Sequence, residues 1–187
     1  MPAEPKPHRS KDKPEIIKAA RLTAAHEVGH AVCSMGLDLN PSSKVIIEMT
    51  EPAQRHIMAV HGSHVIFDDP TFENEHIAML GYSGKLGALL CHPQFAQANN
   101  AELWEKIKTS EPWSREDLKM IDRVRGAANK RKAFDAAVAL LKHHGTDLIR
   151  YYEHCASDFL ADPKDKVTYT LSSMPFKTPL KESVRLF

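Results

Sequence analysis

At 187 residues the chain is long enough for one well-buried core and little more, so a single domain is expected. Hydrophobic residues at 42% and charged residues at 26% are the balance of a soluble globular protein rather than a fibrous or disordered one. The 25 Lys and Arg nearly cancel the 24 Asp and Glu, so no strong field draws the chain to nucleic acid or to an anionic membrane, and neither is expected as a partner.

Residues 1–13 hold three prolines, several basic residues and almost nothing to bury, which reads as a flexible N-terminal arm. From Pro14 to about Met35 the chain reads as helix. Asp12 can cap it, Pro14 suits its first turn, and Gly36 suits a left-handed stop. Ile17, Ala20, Ala24, Val28, Ala31 and Met35 recur at three- and four-residue steps, the apolar face of a buried helix. Three short runs with strand character follow, Lys44 to Met49, His56 to His61 and His64 to Phe67, the last two joined by a Gly62-Ser63 turn. They predict a small antiparallel sheet.

After Pro70 helical patterns dominate: Phe72 to Cys91 behind Thr71, Ala101 to Lys108, and Arg115 onward behind Ser114. A further pair covers Arg131 to His144 and Asp147 to Leu160, broken at Gly145 and stopped by Pro163. The expected globular part is therefore 14–163, with 164–187 as a C-terminal tail to which no structure is assigned. The fold class is α+β and mainly helical. Cys33, Cys91 and Cys155 are odd in number and form no Cys-x-x-Cys pair, which fits a reducing, cytoplasmic setting. The longest apolar stretch, Ile77 to Leu90, is broken by Ser83, Lys85 and glycines, so neither a signal peptide nor a membrane span is expected.

The chemistry is concentrated in His26-Glu27-Val28-Gly29-His30. On a helix the two histidines lie one turn apart on one face and can converge on one ion, Zn2+ by preference, while Glu27 projects beside them as a general base for water acidified by the metal. Such a pattern arises by chance in roughly 4% of chains of this composition, so its context decides. The match lies within the buried helix and among small residues, where two histidines and a glutamate need a partner that satisfies them.

A hydrolytic zinc site takes a third protein ligand and leaves a fourth position open. Cys33 and Gly36 stand where the extended motif would place glycine and a third histidine. Glu48 and Glu51 lie at a suitable sequence distance but in or beside a strand. Asp117, in the first turn of the helix opened by Ser114, is the better candidate, although Ser114 and Asp117 also read locally as a capping box. His56, His61 and His64 are explained by a surface hairpin, Cys33 by packing, and His143-His144 by a helix C-terminus.

Thr23-Ala-Ala-His-Glu-Val-Gly-His-Ala-Val32 resembles the zinc helix of the FtsH-type ATP-dependent zinc metalloproteases, with their His-Glu-Ala-Gly-His-Ala core. Lys44 to Glu48 resembles the strand that follows it. Leu80-Gly81-Tyr-Ser-Gly-Lys-Leu86 resembles the Gly-Gly-Arg-Ala-Ala-Glu stretch, although Lys85 and Leu86 stand near the place of its Ala-Ala-Glu, and Ser114-Arg-Glu-Asp117-Leu118 resembles the Ser-Asn-Asp-Leu segment. The likeness spans roughly residues 15–162. It implies a zincin-like fold with a zinc-binding helix, a small sheet and a C-terminal helical bundle. It also implies His26, His30 and Asp117 as ligands of Zn2+, and Glu27 as the catalytic base of peptide-bond hydrolysis. The chain has no Walker-type loop, so the expectation is a free-standing peptidase domain that takes a peptide or protein substrate and admits a separate ATPase or adaptor. The alternative is a catalytically silent zinc-binding regulatory or interaction module of the same fold.

Overall fold

A computed structural model of the protein describes residues 14–39, 44–48, 72–110, 113–161 and 166–171. Helix α1 (Pro14–Gly36) runs through the middle of the core. From Ala24 to Met35 every side chain but that of His26 is buried, so this helix is covered all round and not merely along one stripe. Its end differs in detail from expectation. The left-handed residue is Asp38, at φ 56°, rather than Gly36. The amides of Asp38 and Leu39 donate to the carbonyls of Met35 and Ser34 at 3.1 and 2.9 Å, the reciprocal bonding of a Schellman turn. Aspartate is one of the few residues besides glycine that tolerate this conformation.

Strand β1 (Lys44–Glu48) packs on α1, and helix α2 (Asn74–Leu90) crosses α1 closely. Helix α3 (Asn100–Thr109) opens with a capping box: Asn99 accepts from the amides of Ala101 and Glu102 at 2.9 and 3.0 Å, while Glu102 accepts from the Asn99 amide at 2.8 Å. Helices α4 (Arg115–Ile121) and α5 (Ala127–His143) both pack on α2, and α6 (Gly145–Ala161) packs on α1. The two central helices, α1 and α2, thus carry the rest of the molecule around them.

Strand β2 (Lys166–Thr170) pairs antiparallel with β1, in register from Lys44 opposite Thr170 to Glu48 opposite Lys166. Val45, Ile47 and Tyr169 face inward and are buried, while Lys44, Thr168 and Thr170 are exposed, the alternation of a sheet with one covered face. Beyond the boundary expected at Pro163, residues 166–170 pair with β1 and Leu171 is wholly buried. The residues of the expected hairpin, His56, His61 and His64 among them, lie outside the described residues, as does the N-terminal arm. The described residues form a mainly helical α+β fold with a two-stranded antiparallel sheet. No described helix is long and apolar enough to cross a membrane.

Candidate metal centre

The centre is built where α1 and α2 cross. A Cβ on Gly87 would fall 2.6 Å from the Cα of Gly29 and 2.5 Å from the carbonyl oxygen of Ala25, and one on Gly29 would collide with the carbonyl of Ser83. Only glycines allow this approach. It explains the fourth residue of the pentad: Gly29 lets the helix bearing His26 and His30 sit directly against the backbone of α2. One turn before Gly87, Gly84 faces the two imidazoles.

Asp117 arrives from α4. Ser114 caps that helix, its hydroxyl accepting from the Asp117 amide at 2.9 Å. The reciprocal half of a capping box is replaced by another contact, since the Asp117 carboxylate turns inward to the histidines. Its Oδ1 lies 3.2 Å from His30 Nε2 and its Oδ2 3.6 Å from His26 Nε2, and the two Nε2 atoms are 3.1 Å apart. Capping and convergence on the histidines are thus both properties of one residue, served by its amide and its carboxylate separately. Glu27 Oε1 stands 3.9 Å from His26 Nε2, so the carboxylate assigned to proton transfer lies at the edge of the same cluster.

The ring of His30 is held from behind. Its Nδ1 lies 2.9 Å from the Leu80 carbonyl and 3.2 Å from the Ser83 hydroxyl, which itself donates to Leu80 at 2.6 Å. A carbonyl only accepts, so Nδ1 carries a proton, and in the neutral ring the lone pair sits on Nε2 and faces the cluster. Burial, followed by the neighbouring His30, lowers the pKa of His26 to about 4, which keeps it neutral and able to ligate at physiological pH. Burial also disfavours a charge on His30, but its hydrogen bond to Asp117 and the charge of Glu27 outweigh this and raise its pKa. Asp117 shows the converse: burial alone would raise its pKa, and the hydrogen bond and charge of His30 bring it below the usual carboxylate value.

These residues fit a metal ion on three counts. Asp117 is 2% exposed, yet among the described residues its Oδ2 has no hydrogen-bond partner, an unusual and unfavourable state for a buried carboxylate oxygen. A Cβ on Gly84 would lie 2.6 Å from His26 Nε2 and against His30 Nε2, so the absence of a side chain there leaves the space beside both donor atoms clear. With one donor atom taken from each residue, the three lie within 4.8 Å of one another, against about 3.3–3.6 Å between donors that stand about 2.0–2.2 Å from a tetrahedral ion. His26, His30 and Asp117 are the group of candidate ligands that the described residues bring together. The His26 side chain, at 26% exposure against 10% and 3% for the other two, marks the side from which solvent reaches them.

Of the rival ligands, only Asp122 has a described side chain, and it lies apart from the triad. Glu48 closes β1, Glu51 lies outside the described residues, and Asp122 is exposed at the end of α4 in an ion pair with Lys130. Cys33 is buried one turn past His30, and its thiol is pushed up to about 12 by burial, the state of a packed apolar residue. The roles of Leu80, Ser83 and Gly84 were not apparent in the sequence. Their segment stood out for its glycines and for the resemblance noted in the sequence, and a backbone carbonyl that orients an imidazole leaves no mark in side-chain identity. No family model, curated protein or solved structure matches this chain.

Proposed function

We propose that the protein is a free-standing zinc metallopeptidase related to the peptidase domain of the FtsH-type proteases, with His26, His30 and Asp117 as ligands of Zn2+ and Glu27 as general base. One observation carries the reading: a buried carboxylate from one helix meets two imidazoles from another, with one of its oxygens unsatisfied among the described residues. When bound, zinc supplies Lewis acidity, which acidifies water and polarises a carbonyl. His30 is fixed in tautomer and direction by Leu80 and Ser83, so its Nε2 is already oriented for ligation. Asp117, held ionised below the usual carboxylate value by His30, supplies a negative charge for a divalent cation. Glu27, a proton carrier and not a ligand, takes a proton at its carboxylate from the attacking water and returns it to the leaving amine as the C–N bond breaks. A peptide or protein substrate reaches this group from the side of His26, and delivery of folded substrates falls to a separate ATPase or adaptor.

The test combines metal titration with hydrolysis. The wild type is expected to bind one equivalent of zinc and to cleave an unfolded casein-type substrate. Asp117→Ala should lose the metal, whereas Glu27→Gln should keep metal and fold but lose turnover. Full activity in Glu27→Gln would remove the mechanism. Zinc binding without hydrolysis in the wild type would favour the silent regulatory module instead.

A further inference from the structure

Helix α2 presents Gly84 to the histidines, while Gly81 and Lys85, one turn apart, lie on another of its faces. Gly81 brings α4 close: a Cβ there would lie 2.8 Å from the Asp117 carbonyl oxygen and 2.8 Å from Met120 Cβ. Lys85 holds the segment leading into the same helix. Its ammonium donates to Ser110 Oγ at 2.9 Å and lies 4.4 Å from the ring centroid of Trp113. Ser110 closes α3, and Trp113 immediately precedes Ser114, the residue that caps α4. Trp113 is in turn packed against Tyr82 of α2, with ring centroids 5.8 Å apart. The connection from α3 to α4 is therefore fastened to α2 at both ends by one side chain.

We propose that Lys85 is the positioning residue for Asp117: by bonding Ser110 and covering Trp113 it fixes the start of α4 so that the carboxylate meets His26 and His30. The proposal rests on the zinc reading of the triad. Coulomb's law alone predicts the opposite sign, since a cation near a metal site weakens binding of another cation. The charge of Lys85 does reach the site, contributing to the lowered pKa of His26 after burial and His30. A positioning role therefore makes removal of Lys85 weaken zinc binding, whereas a mere nearby charge makes removal tighten it.

The test measures zinc affinity by competition with a chromogenic chelator for the wild type, Lys85→Met, Lys85→Arg and Ser110→Ala. Hydrogen exchange across residues 114–121 is measured on the metal-free proteins. Lys85→Met is expected to bind zinc about 10–100-fold more weakly, the usual loss on removing an outer support of a metal site, and to exchange faster in the first turn of α4. Lys85→Arg, which keeps charge and reach, should stay near the wild type. Affinity in Lys85→Met equal to or above the wild type overturns the proposal. Should that variant fail to fold, Ser110→Ala decides, with weaker zinc binding supporting the role and unchanged binding removing it. If the wild type binds no zinc, the zinc reading itself fails. The exchange data then decide the remaining claim, and unchanged exchange in α4 would end it.

Discussion

His26, Glu27, Gly29 and His30 share three separate physical duties within one helical turn and a half. The histidines face Asp117, the glutamate stands at the rim, and Gly29 sets the distance to α2. Gly84 completes the site by having no side chain. A methyl group there would occupy the space beside both Nε2 atoms, so Gly84→Ala is expected to abolish zinc binding with all three proposed ligands still in place. Thermal denaturation with and without zinc checks this. For the wild type a thousandfold excess over Kd should add about 4 kcal/mol of stability, and the variant should gain none. A full zinc-induced shift in Gly84→Ala would show that the imidazoles can withdraw from α2 without losing the ion.

Between elements, the crossing of α1 and α2 is the contact on which the centre depends. Replacing Gly87 by alanine ordinarily favours a helix by about 1 kcal/mol. Here the added Cβ would meet the backbone of Gly29 and Ala25, which cannot rotate aside. Overpacking against rigid backbone costs about 1–3 kcal/mol, so the net effect of Gly87→Ala should be destabilisation, read as a lower urea midpoint with unchanged slope. Gly145 is the internal control, because a Cβ there meets none of the described residues within 4 Å. Gly145→Ala should be neutral or stabilise by a few tenths to about 1 kcal/mol. Equal losses at the two positions would mean that close approach of the central helices is not the cause.

At the scale of the whole molecule, the chain closes on itself when β2 pairs with β1. That pairing is tied down by Tyr169, whose hydroxyl donates to Asp158 of α6 at 3.0 Å, and by Leu171, which has no exposure at all. A leucine in a loose tail could be truncated without effect. Leu171→Ala should instead lower stability by about 2–5 kcal/mol, the range for removing a buried leucine side chain, measurable by chemical denaturation. A change within about 0.5 kcal/mol, as at ordinary surface positions, would return the segment beyond Pro163 to the status of a tail.

What the chain could disclose by itself was whatever depends on near neighbours. The apolar repeat of α1 and the His-x-x-x-His spacing are consequences of helical geometry, complete within a few residues, and Ser114 as the cap of α4 is equally local. A break between α5 and α6 was also legible locally, although it falls at His144 and Gly145 opens α6. Asp117 was ambiguous for the same reason: a carboxylate in a first turn reads as part of a cap, and only the docking of α4 on Gly81 of α2 turns it toward His26 and His30. Strand β2 was illegible because its five residues acquire a face and a register only from a partner near the other end of the chain. The support of His30 by the Leu80 carbonyl lay further out of reach, since every residue has a carbonyl and only tertiary packing selects which one an imidazole meets.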